Sequence, residues 1–129
     1  MKAPLTILVA YGSWHIGARV IHRLNSVPDI EIIGQAREAD DALAQIVLRK
    51  PHLVILDVSL SQGTGFRVLQ SLRGSDIKTA VMMTSTSTYS QYRKECMKAG
   101  ADYFYYLPED MEEMGAKVLE LAMVRTPES

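Results

Sequence analysis

The chain is short of almost everything that would tie it to an extreme environment. Among its 129 residues there is one cysteine, Cys96. A lone thiol closes no disulfide within the chain, so a disulfide scaffold is excluded and a reducing, cytoplasmic setting is expected. An excess of one charge is missing too: 14 basic residues against 15 acidic leave a formal net charge of −1. That balance offers no basic stripe for nucleic acid and no cationic face for an anionic bilayer. No apolar run approaches the ~18 residues of a membrane span, and Met1-Lys2-Ala3-Pro4 lacks the apolar core of a signal peptide. Of the three histidines, His22 and His52 stand in no carboxylate or cysteine pattern that would suggest a metal site. Repeats, low-complexity tracts and linkers are absent as well. These absences leave one domain over 1–129, with a core from about residue 5 to about 123 and a frayed tail over 125–129.

What is present is a regular alternation of apolar runs and amphipathic stretches. Leu5–Ala10 reads as a strand. Ser13 then offers an N-cap to a helix carrying Ile16, Val20, Ile21 and Leu24 at helical spacing, until Pro28. Ile30–Gly34 is a second strand. Asp40 or Asp41 is placed to cap a second helix whose inner face carries Leu43, Ile46 and Val47, closed by Pro51. His52–Asp57 is a third strand, and Gly65 opens a third helix through Phe66, Val68, Leu69 and Leu72. Thr79–Thr84, Tyr89–Ala99, Tyr103–Leu107 and Glu109–Val124 complete the series, with Gly100 relieving the turn after the fourth helix. Five strands alternating with five helices predict a doubly wound parallel sheet covered on both faces.

Within this order Asp57 stands out. It ends a continuous apolar run, His52-Leu53-Val54-Ile55-Leu56, of the kind that central parallel strands carry. The carboxyl ends of such strands are where open α/β sheets place their chemistry. A turn-rich stretch follows, Val58-Ser59-Leu60-Ser61-Gln62-Gly63-Thr64-Gly65, and Thr84 closes the next strand with a hydroxyl.

With Asp57, Thr84 and Gly100-Ala101-Asp102 in these positions, the chain resembles the receiver domains of bacterial two-component response regulators over about Leu5 to Met123. The resemblance implies a flavodoxin-like strand order, 2-1-3-4-5, with the site at the carboxyl edge of the sheet. It implies that Asp57 is the phosphoacceptor, that Thr84 is the switch hydroxyl and that Phe104 takes the aromatic switch position, within one residue along the Tyr103–Tyr106 run. It also implies two acidic residues after the first strand, holding Mg²⁺, and a lysine before the proline that follows the fifth. Those positions carry Ala10 and Tyr11, and Leu107 before Pro108.

These substitutions matter because phosphoryl transfer to a carboxylate brings a negative donor to a negative acceptor. Mg²⁺ and a lysine neutralise the transferring oxygens in the family. Asp57 with the carbonyl of Ser59 is a poor Mg²⁺ site alone, and Leu107 cannot pair with phosphate. The expectation is a receiver impaired in Mg²⁺-dependent phosphorylation, weak or absent in metal binding, and not an enzyme. Such a module acts by binding a protein, a histidine kinase or an effector. Opposed charges on helix four (Arg93, Lys94, Lys98) and at the start of helix five (Glu109, Asp110, Glu112, Glu113) suit a homodimer through the helix 4–strand 5–helix 5 face, although a solvated surface explains them equally well.

Two alternatives stay open: slow phosphorylation of Asp57 with other groups replacing the lost charges, or a vacated pocket lined by Tyr11, Trp14, Asp57 and Thr84 that senses a small molecule. Gly12-Ser13-Trp14-His15-Ile16-Gly17-Ala18-Arg19 has the glycine spacing of a P-loop without its lysine and hydroxyl. The expected role of His15 is a solvent-facing helix residue. Cys96 is expected as a packed or partly exposed structural thiol in the fourth helix, and the Met111, Met114, Val118, Leu121 seam as the sheet-facing side of the fifth.

Overall fold

Apolar continuity in the strands and one-sided stripes on the helices fix the layering seen in the computed structural model, which describes residues 3–125. The elements are β1 (Leu5–Ala10), α1 (Trp14–Leu24), β2 (Ile30–Ala36), α2 (Ala39–Arg49), β3 (Leu53–Asp57), α3 (Gly65–Arg73), β4 (Ala80–Ser85), α4 (Ser90–Lys98), β5 (Tyr103–Tyr106) and α5 (Met111–Met123). All pairings are parallel, in the order β2-β1-β3-β4-β5, as expected. Of the tail expected over 125–129, residues 126–129 lie outside the described residues, as do residues 1 and 2.

Side chains alternate across the sheet, so each strand feeds two apolar layers. Ile7, Val9, Leu53, Ile55 and Met82 meet Val20 and Leu24 of α1 and Met114 and Val118 of α5. Leu8, Val54, Leu56, Val81 and Met83 meet Ala42 and Ile46 of α2, Val68, Leu69 and Leu72 of α3, and Cys96 of α4. Every residue of β3 is buried, which accounts for its unbroken apolar run. Each fully buried Leu or Ile stabilises the fold by about 1.5–3 kcal/mol.

The helix ends are set by local chemistry in α1 and by distant backbone in α2. The Ser13 hydroxyl accepts from Ile16 N–H, and the Thr64 hydroxyl accepts from Arg67 N–H at the start of α3. Two expectations for α2 are corrected. It begins after Glu38, with Asp40 and Asp41 inside its first turn, where they favour the helix dipole without capping it. Its start is held by Ala39 N–H donating to Gln62 O, 2.8 Å, a contact with the β3–α3 loop. Val47, expected on the inner face, is 57% exposed, and Ala42 takes its place facing the sheet. In α5 the buried stripe is Met111, Met114, Gly115, Val118 and Ala122, while Leu121 of the expected seam is only partly buried. Gly100 does adopt a positive φ, 106°, after α4.

Candidate functional site

The carboxyl edges of β1, β3 and β4 bring three side chains together on the face covered by α1 and α5. Asp57 and Thr84 are register partners across β3 and β4. Tyr11 follows β1, and its N–H donates to Ala36 O. All three side chains are buried, Asp57 with 4% of its surface exposed.

Thr84 Oγ1 lies 3.0 Å from the Tyr11 hydroxyl and 3.2 Å from Asp57 Oδ1. The threonine carries one proton, and an ionised carboxylate only accepts, so Thr84 donates to Asp57 and the Tyr11 O–H donates to Thr84. Burial holds the Tyr11 phenol far above its ordinary value, so it keeps its proton and stays a donor. Burial likewise pushes Asp57 from 3.8 up to about 6, against the opposing pull of the Thr84 hydroxyl and the backbone N–H groups of Val58 and Ser59. No ion pair reaches Asp57 among the described residues.

The backbone around Asp57 is close-set. A Cβ at Gly65 would run into the Asp57 carbonyl oxygen, so only glycine lets α3 start there. A Cβ at Gly12 would lie 2.8 Å from the Leu60 carbonyl carbon, and Gly12 N–H donates to Ser59 O, 3.3 Å. The Arg37 guanidinium donates to Gly12 O, and Ser61 donates through both its N–H and its hydroxyl to Arg37 O, 2.8 Å each. The loops after β1, β2 and β3 therefore form one hydrogen-bonded rim around a cleft of about 260 Å³ that holds Asp57, Ser59 and Thr86.

At the positions where the resemblance implies two carboxylates stand Ala10, fully buried, and Tyr11. Leu107 is 1% exposed and shares an apolar cluster with Tyr11, Met82 and Met111. The cleft offers one carboxylate, and the Ser59 carbonyl beside it already accepts from Gly12. Among the described residues no group of three or more His, Cys, Asp or Glu is placed to hold a metal ion. With Asp57 as the one carboxylate, waters and phosphate oxygens would have to supply most of an octahedron around Mg²⁺ here.

The other expected residues distribute as follows. Phe104 is buried in the opposite layer, against α2–α4, with its ring edge-on to Tyr106 at 5.3 Å, and so stands apart from the Asp57–Thr84–Tyr11 chain. The single pocket expected from Tyr11, Trp14, Asp57 and Thr84 is corrected. Tyr11 and Trp14 border a groove under α1, Asp57 sits in an adjoining cleft that shares Ser13 with that groove, and Thr84 is fully buried and lines neither. The P-loop-like glycine Gly17 lies inside α1, so no phosphate-cradling loop forms. His15 is exposed, as expected. Cys96 is 1% exposed and its thiol is pushed up to about 11, by burial first and Glu95 second, as suits a packed thiol. Of the acids starting α5, Glu112 pairs with Arg23 of α1 at 3.2 Å and Asp110 accepts from Tyr106 N–H.

Arg37 and Arg73 escaped notice in the sequence. Arg73 donates to Gly100 O, Thr79 O and Asp102 Oδ2, and Asp102 in turn accepts from Val81 N–H, fastening α3 to the amino ends of β4 and β5. Among the described residues no helix is long and apolar enough to cross a membrane.

Comparison with known proteins agrees with this fold. Residues 16–119 match the response regulator receiver domain family. The DNA-binding transcriptional activator EvgA of Escherichia coli K12 is 31% identical over 90 residues, covering 70% of this chain and 44% of that protein. A protein-glutamate methylesterase/protein-glutamine glutaminase of Methanospirillum hungatei is 30% identical over 119 residues, covering 88% of this chain and 35% of that protein. The chain thus spans less than half the length of these relatives. The response regulator domain of Thermotoga maritima CheB superposes with a TM-score of 0.79 at 22% identity, over 96% of this chain and 99% of that one, a likeness of fold.

Proposed function

The chain belongs to the response regulator receiver domain family, and on that premise we propose that it is a phosphorylation-impaired receiver acting in two-component signalling by binding another protein. The observation that carries this reading is the surround of Asp57. A buried carboxylate with one hydroxyl donor and no cation faces any incoming phosphoryl donor with uncompensated negative charge. Electrostatic stabilisation of the transferring oxygens is the main source of catalysis in such reactions, and the side chains of Ala10, Tyr11 and Leu107 bring no positive charge to it.

In this reading Asp57, Thr84 and Tyr11 form a fixed polar chain that sets one resting conformation, and Leu107 closes the space beside it. Phe104 keeps its place as the aromatic switch position, packed inward. The partner is a histidine kinase or an effector. A second copy through the face of α4, β5 and α5 is also proposed, since Arg93, Lys94 and Lys98 stand exposed there. The residues carry no catalysis of their own, bind Mg²⁺ weakly at most, and work in the cytoplasm.

The test is incubation with acetyl phosphate and Mg²⁺ followed by intact mass, with Asp57→Asn as control and an ordinary receiver alongside. The expected result is no adduct under conditions that modify the ordinary receiver. An adduct lost in Asp57→Asn would overturn the proposal and restore a phosphorylation switch.

A further inference from the structure

We infer that the groove between α1 and β2 is a binding site for a small aromatic carboxylate. This goes beyond the receiver reading and stands whether or not Asp57 is phosphorylated.

The groove has a volume of about 530 Å³, within the ~300–1,000 Å³ common for small-molecule sites. It exists because α1 is narrow there: Gly17 and Ala18 face it, and a Cβ on Gly17 would already lie 3.4 Å from the Tyr11 Cβ. Val9 and Ile21 add apolar surface to the lining, which suits a flat hydrocarbon ring. At one end stands Trp14, 70% exposed despite being the sole tryptophan. A large indole left in water beside an apolar groove offers stacking surface to a ligand.

The charge that the groove prefers follows from its lining, in which no residue is acidic. Arg37 supplies the fixed positive charge. Its guanidinium lies 5.0 Å from the centre of the Trp14 ring, held there by donation to Gly12 O, 3.0 Å. Among the described residues it makes no ion pair, so its remaining N–H groups are available for a carboxylate. An aromatic acid would set its ring on Val9, Ala18 and Ile21 and its carboxylate on Arg37.

The test uses 1-naphthoate and ¹⁵N-labelled protein, following the single indole Nε1–H signal of Trp14 and the amides of Ala18 and Arg37. The expected result is saturable displacement of all three with a dissociation constant of about a millimolar. Arg37→Gln should weaken binding roughly tenfold or more by removing the charge-assisted pair. Ala18→Leu should abolish binding by filling the groove from an exposed helix position, and well-dispersed spectra of both variants would show that they fold. Shifts that fail to saturate by about 10 mM, or saturation unchanged in either variant, would overturn the inference.

Discussion

Replacing Asp57 by asparagine keeps the size of the side chain and removes its charge, and the structure gives the expected consequence for stability a sign and a size. A carboxyl whose value rises from 3.8 in the unfolded chain to about 6 in the folded one binds its proton more tightly when folded. The folded state is therefore favoured most below about pH 4, and that advantage is lost as pH rises from about 4 to about 6. Two units of displacement correspond to about 3 kcal/mol at most, an order-of-magnitude figure for a side chain this buried. Urea unfolding of the wild type and of Asp57→Asn, at several pH values between about 4.5 and 7.5, isolates this contribution, because every other titrating group is shared. The variant should gain on the wild type by about 2 kcal/mol across that range. A gap that stays flat with pH would refute the reasoning, since it would mean that Asp57 titrates as an exposed carboxyl and that the cleft is open to water.

Three further outcomes follow from the geometry. The triple variant Ala10→Asp, Tyr11→Asp, Leu107→Lys returns the charges implied by the family, and intact mass after treatment with acetyl phosphate and Mg²⁺ should show an adduct that the parent lacks. Arg73→Ala removes the bonds to Gly100, Thr79 and Asp102 and leaves the first two carbonyls to find other partners. It should cost about 2–3 kcal/mol by urea unfolding, and a loss below about 0.5 kcal/mol would show that the fastening contributes little. Cys96 should resist a thiol reagent such as dithiobisnitrobenzoate at neutral pH and react fully once urea unfolds the chain; rapid labelling of the native protein would contradict its burial.

Much of the fold was legible because strands in a doubly wound sheet carry their burial in plain sight. The expected bounds of β1 match those observed, and β3 differs by one residue because both runs are continuously apolar. The sequence is less explicit where apolar residues outnumber the positions that face the sheet. In α2, Leu43, Ile46, Val47 and Leu48 are all apolar, and only packing decides that Ala42 and Ile46 turn inward. The start of α2 was misplaced because a backbone bond to Gln62, far along the chain, sets it. At the site, Asp57 and Thr84 announce themselves by ending neighbouring strands. The meeting of Tyr11 with Thr84 was visible only as proximity, and the division of the space into an α1 groove and an adjoining Asp57 cleft follows from tertiary packing that the pattern of residues does not carry. Arg37 gave no signal, since an arginine in a polar turn looks like any solvated one. Arg73 was overlooked for a related reason: its partners are mainly carbonyls, and every residue has one of those.

The row of hydroxyls ending at Asp57 has a direction. With the carboxyl ionised, every O–H bond in it points toward Asp57. A protonated Asp57 has a hydrogen of its own to give, and the orientation can then run backward: Asp57 to Thr84, Thr84 to Tyr11. Tyr11 would change from giver to receiver of a hydrogen bond while no heavy atom need move. Tyr11 and Thr84 are both buried, so a difference of one proton at Asp57 is written into the interior as a reversed local dipole, with the packing around it unchanged.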